Sequence, residues 1–162
     1  METIFLADTW VTSDHLKLFS NVSGSLGYAA VFGSLWFAKA WPSHLQHYQI
    51  AVKELFPNVL ALEIWGGEDI LKNSKLLFLC DNQAIVEVIK KQSCKDKSIM
   101  KLIRRLVLAA LKFNVVFRAK HIAGKHNVIA DQLSRFQFQK VRSVALWLCQ
   151  EQTAIPDQFL II

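Results

Sequence analysis

The sequence is short of the residues that interrupt or cross-link a chain. It has three prolines, six glycines and three cysteines in 162 residues. Cys80, Cys94 and Cys149 are odd in number and scattered, with no metal-ligand spacing. That excludes a disulfide scaffold and a zinc module, and it points to a reducing, intracellular compartment. No apolar run approaches the roughly 20 residues of a membrane span. The opening Met1-Glu2-Thr3-Ile4-Phe5 has no basic stretch and does not read as a signal peptide. Internal repeats and low-complexity tracts are absent. Acids are outnumbered, 13 against 19 lysines and arginines, for a net charge of +6. That balance suits a polyanionic partner.

What is present is a globular composition, 52% hydrophobic and 20% charged, long enough for one domain with a full core. Residues 1–14 read as a lead-in that Trp10 could anchor, 15–136 as the domain, and 137–162 as a tail that packs irregularly or awaits a partner. Leu16 to Ser23 alternates as a strand. Gly27 to Phe32 and Leu35 to Ala40 follow at hairpin spacing, which gives an antiparallel meander. Trp41-Pro42 closes it. From Ala51 to Trp65 apolar residues recur at helical spacing, with Pro57 either in an early turn or at a kink. Gly66-Gly67 ends that helix. Lys75 to Cys80 is nearly continuously apolar, as in a central strand covered on both faces. Helices are expected over Gln83–Lys90 and Ile99–Phe113, and a last strand over Val115–Lys120. The order β-β-β-α-β-α-α-β-α predicts an α/β fold, a five-stranded mixed sheet with helices on both faces.

The most informative stretch is His121 to Arg135. Gly124 breaks the chain after the last strand, and Asn127 can cap a new helix. Val128, Ile129 and Leu133 give that helix an apolar face, with Asp131 on its rim. Two further acids stand at element ends. Asp81 follows a buried strand, where ligands gather on open α/β sheets, or else caps the next helix. Glu54 lies on the first turns of the long helix, where an acid also favours the helix N-terminus.

His121, Gly124, Asn127, Ala130, Asp131, Leu133, Ser134 and Arg135 match the spacing of the last signature of ribonuclease H domains. Together with Ser23–Gly33, Trp36-Phe37, Lys53–Pro57, Leu60–Gly66 and Leu79–Asn82, the chain resembles one branch over about residues 10–160. That branch is the ribonuclease H region of DIRS-like, tyrosine-recombinase retrotransposons, where a reverse transcriptase precedes the domain and a recombinase follows. The resemblance implies a free-standing copy or remnant of such a polyprotein.

It also implies an activity: metal-dependent cleavage of the RNA strand of RNA–DNA hybrids, with carboxylates converging on two Mg²⁺ or Mn²⁺ ions. By resemblance Glu54, Asp81 and Asp131 are catalytic metal ligands, with Glu63 a weaker alternative to Glu54. His121 matches a histidine that assists product release or proton transfer. Ser23, Asn82, Gln83, Lys120, Lys125 and Asn127 are the expected substrate contacts, and His126 is a loop residue. Lys90, Lys91, Lys95, Lys97, Lys101, Arg104 and Arg105 either touch phosphate or form a solvated face.

The chain departs from the pattern at the first acid. Retroelement domains read Asp-Ala-Ser there, and this chain reads Asn21-Val22-Ser23. Asp14 lies about 23 Å away along an extended strand at roughly 3.3 Å per residue, and Asp8 is farther. Asn21 offers a carbonyl oxygen without charge, so the resemblance implies an impaired enzyme. The alternatives are a non-catalytic nucleic-acid-binding module and a folded remnant. Asn58 is a second polar intrusion, at a position expected to be apolar.

Overall fold

The computed structural model describes residues 16–162. The expectations for Asp8, Trp10 and Asp14 lie outside those residues. β1 (Leu16–Ser23), β2 (Gly27–Phe32) and β3 (Leu35–Ala40) form the meander. α1 (Ile50–Trp65), β4 (Lys75–Cys80), α2 (Gln83–Lys91), α3 (Lys97–Phe113), β5 (Val116–His121), α4 (Val128–Ser134) and α5 (Phe138–Val144) follow. The sheet order is β3-β2-β1-β4-β5. β1 pairs antiparallel with β2 and parallel with β4, and β4 pairs parallel with β5. The expected five-stranded mixed sheet is therefore the one observed, with β4 in its interior beside β1.

The two faces of the sheet hold separate cores. Leu18 and Val22 of β1 pack with α1, α2 and α3 on one face. Phe19 packs on the other with Ala29, Val31, Leu133 and Val141, beneath α4 and α5. α1 is buried nearly all round, through Val52, Leu55, Phe56, Val59, Leu60 and Leu62, as a helix enclosed by neighbours must be. Pro57 sits inside it without ending it. α3 is amphipathic and turns Ile99, Leu102, Ile103 and Leu106 inward. It begins at Lys97, two residues before the expected start, because the Asp96 side chain accepts from Ile99 N at 3.0 Å.

Buried polar groups are tied in pairs. Asn58 is fully buried, and its amide oxygen accepts from Ser20 Oγ at 2.9 Å while its amide nitrogen donates to Glu54 O. The expected intrusion is thus a cross-link between α1 and β1. Gly27 is required by packing: a Cβ there would collide with Lys39 O and the Phe136 ring.

The segment expected to be an irregular tail folds onto the body. α5 contributes Val141, and Ala145 is buried beside it. The chain then runs along the edge of β3: Cys149 N donates to Ser34 O, Thr153 N to Trp36 O, and Ala38 N to Gln152 Oε1. Ile155, Phe159, Leu160 and Ile162 pack against the α1 side of the core. This run covers the otherwise open β3 edge.

Candidate functional site

The C-terminal ends of β1 and β4 lie side by side because the two strands are parallel. Their register pairs Phe19 with Leu79. Continued two residues, it sets Asn21 opposite Asp81. β5 brings the third strand end to the same place, since Cys80 pairs with His121 and Ile122 N donates to Cys80 O at 3.0 Å. The loop after β5 then bends over Asp81. A Cβ on Gly124 would lie 3.6 Å from Asp81 Oδ2.

Glu54 approaches from α1. Its carboxyl is desolvated, and burial pushes it up to about 7; the neighbouring Asp81 charge adds to the rise. Cys80 lies beneath the same pair. Burial pushes its thiol up to about 11, and a backbone hydrogen bond from Asn82 opposes that shift while Glu54 and Asp81 add to it. Glu63 is spoken for elsewhere: Arg105 Nη2 and Nε contact its two carboxylate oxygens at 2.6 and 3.0 Å. Of the two glutamates considered, Glu54 is the one beside Asp81.

Asn21 is 6% exposed, and its amide oxygen accepts from Val22 N at 2.6 Å. The one oxygen it could offer is turned to its own backbone. Asp131 sits in the first turn of α4, where its N–H donates to Asn127 O. Its carboxylate meets Arg135 Nε at 3.1 Å. Among the described residues, no three His, Cys, Asp or Glu side chains are grouped to hold a metal ion. The structure sets Glu54 beside Asp81 and gives Asp131 a cationic partner in Arg135.

The expected substrate contacts divide in the same way. Asn127 is 1% exposed; its amide donates to Ser20 O at 2.8 Å, and its side chain makes no cap on α4. Asn127 stands at the expected N-cap position of α4, but a buried tertiary bond to β1 takes its side chain. Ser23 is buried at the end of β1. Asn82 caps α2, accepting from Ile85 N at 3.1 Å, and Gln83 donates to Glu87 at 2.9 Å. Lys120, His121, Lys125 and His126 are exposed around the loop.

Sequence reasoning missed Lys53. It is 6% exposed, donates to Gly24 O at 3.1 Å, and lies over the Trp41 ring. It fastens the β1–β2 turn to α1 beside the site. A lone lysine next to a matched glutamate carries no sequence signal for that role. A cavity of about 520 Å³ is lined by Phe19, Val31, Asn127, Ile129 and Trp147. Neither Glu54 nor Asp81 lines it.

A mixed sheet in this order, with helices on both faces, is a ribonuclease H-like fold. Solved structures agree. The N-terminal RNase H domain of a Mycobacterium tuberculosis protein, solved as a fusion with maltose-binding protein, has a TM-score of 0.58 at 16% identity, covering 80% of this chain and 99% of that chain. RNase H1 from the halophilic archaeon Halobacterium salinarum has a TM-score of 0.56 at 14% identity, covering 78% and 98%. LC11-RNase H1, solved with an RNA/DNA hybrid, has a TM-score of 0.60 at 16% identity, covering 77% and 97%. No family model matches the sequence, and no curated protein matches it.

Proposed function

We propose that the chain is a retroelement-derived ribonuclease H-like domain that binds RNA–DNA hybrids and is impaired in cutting them. What supports this is Glu54 beside Asp81 at the end of the interior strand, with asparagine at position 21, where the resembled family has its first aspartate. The fold is that of a protein solved with an RNA/DNA hybrid bound. A net charge of +6 and the exposed Lys120, His121 and Lys125 around the site suit a phosphate backbone. Hybrid geometry is read by shape and 2′-hydroxyls, which does not require a complete set of metal ligands. The retroelement origin rests on the sequence resemblance, and association with a reverse transcriptase is part of the same reading.

A pair of Mg²⁺ or Mn²⁺ ions does not fit the residues as they stand. Asn21 lacks charge and its oxygen is engaged, Glu54 is desolvated beside the Asp81 charge, and Asp131 faces Arg135. Hard divalent ions need several anionic oxygens. Binding is therefore the activity that survives in the unaltered chain. Fluorescence anisotropy with a labelled RNA–DNA hybrid, an RNA duplex and a DNA duplex tests it. Preferential, salt-dependent binding of the hybrid is expected. Equal affinity for all three duplexes, or none, contradicts the proposal.

A further inference from the structure

We propose that the cavity between β1 and α4 takes an unpaired nucleobase from a single strand flanking the hybrid. The inference rests on the hybrid-binding reading given above and adds a second contact for the same substrate. The cavity holds about 520 Å³, in the size range of small-ligand sites. Phe19 of β1, Val31 of β2 and Ile129 of α4 give it apolar walls. At its margin Ile70, Val128 and Trp147 are 58%, 43% and 59% exposed, so large apolar side chains gather there uncovered by any described residue. An exposed tryptophan ring is a ready stacking surface for a base.

Charge and hydrogen bonding fit the same occupant. Lys17, Lys125 and His126 are exposed and line the cavity, and among the described residues no acid lines it. An apolar interior with a cationic rim suits a flat ring that carries a phosphate. Asn127 also lines the cavity and is 1% exposed. Its Nδ2 donates to Ser20 O, but its Oδ1 has no partner among the described residues. A buried acceptor without a donor is costly, and base edges carry N–H donors. The position fits as well. Lys125, His126 and Asn127 directly follow Gly124, where a Cβ would lie 3.6 Å from Asp81 Oδ2. One loop therefore borders both the cavity and the strand end at Asp81. An acidic peptide would meet the same lysines, but the shared loop favours the nucleic acid.

The test is fluorescence anisotropy of the full chain with three labelled ligands. They are a blunt RNA–DNA hybrid, the same hybrid with a short single-stranded extension on each strand end in turn, and that extension made abasic. One extension should tighten binding by about tenfold over the blunt hybrid, and its abasic form by clearly less. Trp147→Ala should abolish the difference between the two extensions and leave the blunt hybrid unchanged. Trp147→Phe keeps a stacking face and should retain most of that difference. Equal gains from normal and abasic extensions would show phosphate attraction alone and overturn the proposal. A base-dependent gain that survives Trp147→Ala would place the base elsewhere and overturn it too. A blunt hybrid that binds, with no gain from any extension, overturns this inference alone and leaves the cavity to a protein segment. Failure to bind any of the three overturns the hybrid reading and this inference with it.

Discussion

Glu54 is where burial and charge meet most directly. Its folded pKa of about 7 stands above the ordinary 4.5, so folding favours the protonated carboxyl. For an acid raised in this way, the contribution is fully present below the ordinary value and is lost as pH rises through the folded one. Stability should therefore fall between about pH 4.5 and pH 7 through this residue. Glu54→Gln mimics the protonated form. It should melt like the parent at pH 4.5 and several degrees higher at pH 8, measured by thermal unfolding at both pH values. A variant that is no more stable at pH 8 would show that Glu54 is solvated. Asn58 offers a second residue-level test. Asn58→Ala leaves Ser20 Oγ buried without its acceptor, and the cost should be about 1–3 kcal/mol in denaturant unfolding. Ser20→Ala added to Asn58→Leu should recover much of that loss, because both polar partners are then gone.

At the scale of elements, the structure shows which signals the sequence carries. β4 was legible because a strand covered on both faces must be apolar throughout, and Leu76, Phe78, Leu79 and Cys80 are all buried. α3 was legible because one face meets solvent and the other packs against α1. Asn127 was legible as the N-cap of α4, while its buried bond to Ser20 O is a tertiary fact without a local signal. Glu54 lies beside Asp81 because α1 packs over the end of the interior strand. The Asp131–Arg135 pair had a sequence signal, the i,i+4 spacing. Residues 137–162 were the least legible. Their role is to pair with the β3 edge, which leaves no period in sequence. A chain ending after Gln150 loses the Thr153–Trp36 and Gln152–Ala38 bonds and uncovers that edge. It should melt at lower temperature and self-associate in sedimentation velocity, where the full chain does not. A truncated chain with unchanged melting and size would contradict the edge-covering role.

For the molecule as a whole, fold and site carry different weights of sequence. The fold needs only patterns of apolar residues, and it tolerates 14–16% identity to solved RNase H structures. No described helix is long and apolar enough to cross a membrane. The chemistry hangs on single positions, and Asn21 is the position where this chain parts from the resembled pattern. The most direct measurement is cleavage of a labelled RNA–DNA hybrid in Mg²⁺ and in Mn²⁺ by the unaltered chain, by Asn21→Asp, and by Asn21→Asp/Asp81→Asn. The account predicts near-zero turnover for the unaltered chain and for the double variant. It predicts metal-dependent cleavage of the RNA strand by Asn21→Asp, raised by about 10³-fold or more, equivalent to roughly 4 kcal/mol of transition-state stabilisation. Hybrid affinity should change far less. Robust cleavage by the unaltered chain, or none by a folded Asn21→Asp chain, would contradict it.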